Sequence, residues 1–264
     1  MPDPASPPAA PPRPATRDVL GVPLALTTYA DALDWMDGVI AAGGREYVCV
    51  AATHTVVSCG EDPELRAAVL GAAMTVPDGM PCVWALRALG HPLPDRVYGP
   101  TLMDRSCARA AEQGTPIFLY GGRDRYALDR LIAALTDRYP GLRIAGAIQP
   151  RFRPLSDAEA REVAAEIDAS GAEIVWVGLG VPRQEEWMAR MRPLLRAPVL
   201  VGVGAAFDFH AGLVPQAPPV LQRHGLEWLY RLIQEPRRLW RRYAHNNPRF
   251  VLGFARQWLA ERGR

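Results

Sequence analysis

Apolar and polar positions along the chain follow two alternating rhythms. Short, β-branched apolar runs fall at 19–26, 47–52, 74–77, 117–120, 143–147, 174–177 and 199–203, lengths suited to buried strands. Between them, apolar residues recur every three or four positions near 30–42, 62–72, 80–90, 102–113, 124–138, 157–169 and 184–195, the spacing of amphipathic helices. Ser156-Asp157-Ala158-Glu159 has the form of a capping box, and Gly114 and Gly171 stand where two helices should stop. This succession predicts an α/β fold: an open, mostly parallel sheet with helices on both faces. Ligands in such sheets bind beyond the carboxyl ends of the strands, so chemistry is to be sought in those loops.

The rhythm fails at both ends. Residues 1–17 hold seven prolines among alanines and predict a disordered leader. Near 212–225, where Pro215, Pro218 and Pro219 cluster, the pattern changes to helical, basic and aromatic. The chain therefore divides into a leader (1–17), an α/β body (18–211) and a helical C-terminal appendage (212–264). In the appendage, Leu229, Leu232, Ile233, Leu239, Trp240 and Tyr243 recur at helical spacing, and Pro236 should kink or restart the helix. Arg231, Arg238 and Arg241 are separated by near-whole numbers of turns and are expected on one face.

Charge sharpens that division. All 30 basic residues are arginine, and the net charge of +2 conceals an uneven distribution. Residues 223–264 carry ten Arg against three Glu, a balance of +7, which leaves −5 for the rest. A basic, Trp-rich amphipathic tail suits the anionic interface of a membrane. A solvated basic face is the plainer alternative, and no nucleic-acid motif accompanies the charge. The four cysteines show no metal-ligand spacing, which predicts reduced, apolar thiols. No apolar run approaches the ~20 residues of a spanning helix, and no signal-peptide pattern opens the chain.

Four strand-end loops carry candidate chemistry. Pro77-Asp78-Gly79-Met80-Pro81 offers a carboxylate at a strand-to-helix turn, and Asp95-Arg96-Val97-Tyr98-Gly99 an arginine beside a turn. Gly178-Leu179-Gly180-Val181-Pro182-Arg183-Gln184-Glu185 lets backbone N–H groups approach a phosphate, but lacks the third glycine of the dinucleotide fingerprint. In Gly202-Val203-Gly204-Ala205-Ala206-Phe207-Asp208-Phe209, Phe207 and Asp208 either hold a nucleoside or form a tight turn with a buried aromatic. No DxD triplet, Walker A loop or HExxH helix occurs, so no metal ligand set is expected. His54 is the one histidine that follows a strand directly; a satisfied polar histidine is the bland reading.

Taken in order, these blocks resemble the WecG/TagA/CpsF glycosyltransferases. The resemblance spans about 18–245 and rests on the run from Glu61-Asp62-Pro63-Glu64-Leu65 through Pro77-Asp78-Gly79-Met80-Pro81, then Arg96-Val97-Tyr98-Gly99, Gly180-Val181-Pro182-Arg183-Gln184-Glu185-Glu186-Trp187, Gly202-Val203-Gly204-Ala205-Ala206-Phe207-Asp208-Phe209-His210-Ala211-Gly212, Gly225-Leu226-Glu227-Trp228-Leu229-Tyr230-Arg231-Leu232 and Glu235-Pro236-Arg237-Arg238-Leu239-Trp240-Arg241-Arg242-Tyr243. It implies a Rossmann-like body, an appendage that completes the site at the membrane, and an inverting, metal-independent hexosyltransferase. On that resemblance Asp78 is the general base, Arg96 and Gln184 hold acceptor or donor near the reacting carbon, and Gly180, Gly204, Phe207 and Asp208 serve the donor. Arg231, Arg238 and Arg241 reach the diphosphate. Many members carry threonine and asparagine where this chain has Val50 and Ala52, so Thr53 and His54 are candidate substitutes; Gln216 replaces a usual arginine.

The implied partners are a UDP-sugar, a polyprenyl-diphosphate-linked saccharide and the anionic inner face of the plasma membrane. Homo-oligomers are compatible with the family, and no cofactor is expected. Two rival readings are a nucleotide-dependent oxidoreductase, drawing on the glycine loops alone, and a non-catalytic membrane adaptor of the same fold.

Overall fold

The structure, a computed structural model, describes residues 8–151 and 153–263. Six strands form one parallel sheet: β3 (Glu46–Ala51), β4 (Met74–Pro77), β5 (Ile117–Gly121), β6 (Ile144–Ile148), β7 (Ile174–Gly178) and β8 (Val199–Gly202), in the order β4-β3-β8-β7-β5-β6. Period-two alternation sends neighbouring side chains to opposite layers. Val175 and Val177 pack in one core with Cys49, Tyr120 and Leu200; Ile174 and Trp176 pack in the other with Val48, Leu119 and Val201. The expected Rossmann-like architecture is present.

Helices cover both faces. On one lie α3 (Pro63–Gly71), α4 (Met80–Ala88), α7 (Asp157–Ala169) and α8 (Arg183–Met191); on the other lie α1 (Tyr29–Ala41), α5 (Gly99–Gln113), α6 (Arg125–Arg138) and the short α9 (Ala206–His210). The Ser156–Glu159 capping box opens α7, and Gly114 ends α5 at φ 74°. A seven-residue helix, α2 (Thr53–Cys59), follows β3 directly.

The first expected strand is half of a hairpin. β1 (Thr16–Val19) pairs antiparallel with β2 (Val22–Ala25) through Leu20 and Gly21, both at positive φ, as a two-residue turn requires. The leader expectation is corrected for residues 8–17. The Pro12 carbonyl accepts from Trp35 Nε1 at 3.1 Å, the Pro11 ring lies against Gly38, and Arg13 pairs with Glu46. Polar partners on α1 and β3 fix a segment whose own side chains predict no packing. Residues 1–7 lie outside the described residues.

After α9 the chain forms α10 (Pro219–Arg223), α11 (Glu227–Gln234) and α12 (Pro236–Arg262). Pro236 takes the first turn of α12, where its missing N–H costs nothing, so the helix restarts there. α12 packs against α2 and buries Leu239 and Phe250. Its far end reaches the hairpin, where Gln257 bonds the Leu20 N–H and Asp18 carbonyl and Glu261 pairs with Arg17.

Candidate active site

A crevice opens beyond the carboxyl ends of β3, β4, β7 and β8, where α11 and α12 face the sheet. It has two lobes, of about 260 and 280 Å³. Ala52, His54, Asp78, Glu227, Arg231 and Arg242 border both. Asp78 stands at the seam. Its backbone N–H continues the sheet by donating to the Ala51 carbonyl at 2.9 Å, and its Oδ1 accepts from Gly99 N at 2.8 Å. Among the described residues no hydrogen bond engages Oδ2. Burial raises the Asp78 carboxyl above its ordinary value, against the opposing pull of the Arg96 guanidinium.

The first lobe is floored by glycine. Gly180 and Gly204 sit at φ 76° and 51°, and a Cβ on Gly178 would lie 2.6 Å from the Phe207 ring. Close approach of backbone to a ligand is thereby available. The buried Gln184 shapes this floor: its Oε1 accepts from Gly180 N at 3.1 Å and its Nε2 donates to Glu185 Oε1 at 2.9 Å. Glu185 is fully buried, its Oε2 has no hydrogen-bond partner, and burial pushes its carboxyl up to about 8. Asp208 borders the same lobe with Arg123 Nε 3.8 Å from its Oδ1; burial raises its carboxyl, opposed first by Arg123.

The second lobe is more apolar. Met80, Pro81 and Phe250 line it with Trp228 and Tyr243, whose rings meet edge-on at 5.7 Å. Thr53 borders this lobe only. Burial, aided by Arg242 and Arg231, pushes the His54 imidazole down to about 3, so it is neutral near pH 7.

Positive charge enters from the C-terminal helices. Arg231, Arg238 and Arg242 border the first lobe, and the Nε atoms of Arg231 and Arg242 are buried without a hydrogen-bond partner. Arg241 is exposed, lies 5.4 Å from the Trp240 ring and is not part of the lining. Within α12 the three-residue step from Arg238 to Arg241 falls about 60° short of a full turn and leaves Arg241 outside the lobe. The four-residue step overshoots by about 40° on the other side, so Arg238 and Arg242 share the face that borders the lobe. Arg96 is buried, and its guanidinium meets Glu227 Oε2 at 2.6 Å.

Sequence reasoning located Asp78, Gln184, Gly180, Gly204, Phe207, Asp208, Arg231, Arg238 and the Thr53–His54 pair in or beside one crevice. It missed Arg242, Glu227 and the Trp228–Tyr243 wall. Arg242 was visible as the second half of an Arg-Arg pair, but Glu227 gives no local signal.

A family model described as the glycosyl transferase WecG/TagA/CpsF family matches residues 17–264. The chain belongs to that family. It is a glycosyltransferase, and the crevice bordered by Asp78 is its candidate active site. Among the described residues, no group of three or more His, Cys, Asp or Glu side chains could hold a metal ion. No described helix is long and apolar enough to cross a membrane.

Proposed function

We propose that this glycosyltransferase moves a hexose from a UDP-sugar to a saccharide carried on a polyprenyl diphosphate, with inversion, at the inner membrane surface. The observation that carries this reading is one carboxylate, Asp78, at the seam of two lobes of different character. The glycine-floored, arginine-lined lobe suits a nucleoside diphosphate. The lobe walled by Trp228, Tyr243 and Phe250 suits the acceptor, since aromatic faces pack against sugar rings and lipid.

In this mechanism the acceptor hydroxyl attacks the anomeric carbon as the bond to the UDP oxygen breaks. Asp78 takes the hydroxyl proton, and its raised pKa makes it a stronger base than an ordinary carboxylate. Arg231, Arg238 and Arg242 meet the negative charge that develops on departing UDP. Neutral His54 can accept from one substrate while donating to the other. Asp208 and Phe207 flank the nucleoside, and Gln184 holds the Gly180 loop in shape.

The exposed apolar residues of the last helices support membrane contact. Leu229 and Ile233 on α11 and Trp240, Val251, Leu252 and Leu259 on α12 stand among arginines. The test is a panel of UDP-sugars against a short-chain polyprenyl-diphosphate saccharide, reading released UDP. UDP release that depends on the acceptor supports the reading. Failure of every UDP-sugar, with no UDP binding by calorimetry, contradicts it.

A further inference from the structure

Arg96 is the residue on which the body and the C-terminal helices converge. Its Nη1 donates to the Asp78 backbone carbonyl at 3.3 Å, and its Nη2 donates to Gln222 Oε1 at 3.1 Å on α10 and to Glu227 Oε2 at 2.6 Å on α11. Its guanidinium also lies 4.1 Å from the centre of the Tyr98 ring. Both charged side chains of the Arg96–Glu227 pair are about nine-tenths buried. Three of its five N–H donors are thus committed to protein groups, while the side chain also borders the second lobe.

The backbone is shaped to deliver Glu227 to this point. Gly225 has φ 67°, and a Cβ there would lie 2.7 Å from the Trp84 ring and 3.0 Å from Met80 Cβ. The turn between α10 and α11 is therefore pressed onto α4, which begins just after the Asp78 loop. Gln222 is held in turn, its Nε2 donating to the Ala217 carbonyl at 2.8 Å. Glu227 opens α11, where a carboxylate also suits the helix dipole, and Arg231 follows one turn later on the same face.

From these contacts we infer that Glu227 is a positioning residue. Paired with Arg96, it holds α11 in register with the Asp78 loop and thereby aims Arg231 into the crevice. One guanidinium bonded to both the base loop and α11 fixes the distance between base and cation, a role different from holding acceptor or donor. Removing one partner of a buried pair leaves the other charge uncompensated, so both halves are needed. The inference rests on the proposed reaction for its kinetic consequence but not for its structural one.

The experiment uses the full chain with Glu227→Gln, Glu227→Asp, Arg96→Gln and the double variant Glu227→Gln/Arg96→Gln. Hydrogen exchange of the α11 amides is expected to speed up about tenfold or more in the Gln variants, with exchange in β7 and β8 unchanged. The double variant should be no worse than the worse single, and Glu227→Asp should recover part of the protection. In transfer assays Glu227→Gln should lower kcat about tenfold or more, yet cost little further in an Arg231→Ala background. Unchanged α11 exchange in both single variants, or a kinetic loss that multiplies with Arg231→Ala, would overturn the latch. A wild-type chain that transfers nothing from any UDP-sugar would instead overturn the reaction, and the exchange data would still decide the latch.

Discussion

Asp78 and Glu185 are both carboxyls raised by burial, but they face different surroundings. Asp78 borders the crevice with one oxygen tied to Gly99 N–H, so its proton can exchange with a substrate. The account predicts an acid limb in kcat/KM displaced above the ordinary carboxylate range, with activity rising as Asp78 ionises. A pH–rate profile with a limb at the unperturbed value would contradict that. Glu185 is sealed in the core and holds a proton in the folded state that the unfolded chain releases near its ordinary carboxylate value. Its stabilising contribution is complete below that ordinary value and declines as pH rises toward about 8, by at most ~1.4 kcal/mol per pH unit. Glu185→Gln should flatten this decline, which urea midpoints compared between about pH 5 and pH 8 would reveal.

At the scale of elements, the phase within α12 decides which of its arginines reach the site: Arg238 and Arg242 border the first lobe, and Arg241 stands exposed outside it. Arg242→Ala should lower kcat on the order of 10²-fold, whereas Arg241→Ala should stay within roughly threefold; kinetics of the two variants side by side check this. Most sheet elements were legible because strands buried on both faces leave unbroken apolar runs, as at Ile174–Val177 within β7. The hairpin was not, because Leu20 occupies a positive-φ turn position that sequence patterning assigns to Gly, Asn or Asp. The α2 helix escaped notice because Thr53-His54-Thr55 opens it with polar, weakly helix-forming residues. Its packing against α12 supplies what propensity does not. Three of the four candidate loops were legible because each follows a strand, β4, β7 or β8; the Asp95–Gly99 loop, read as a strand end, instead joins α4 to α5. The Arg96–Glu227 pair joins residues 131 apart in sequence, and no local pattern announces a contact of that range.

Across the whole molecule, charge and apolar surface point the same way. The C-terminal segment from 223 carries +7, and its helices expose Ile233 (69%), Val251 (63%) and Leu259 (63%) beside Trp240. Binding to vesicles containing anionic lipid should therefore exceed binding to neutral vesicles and weaken with added salt, as co-sedimentation would read. Replacing Ile233, Val251 and Leu259 together by serine should reduce binding at low salt without unfolding the body, since all three are exposed. Equal binding to both vesicle types would remove the electrostatic part of that account. The central claim is that Asp78 takes the acceptor proton at the meeting point of two lobes, and single-turnover transfer by Asp78→Asn tests it most directly. The account predicts a rate lower by about 10²–10⁴ with UDP affinity retained; turnover close to wild type would contradict it.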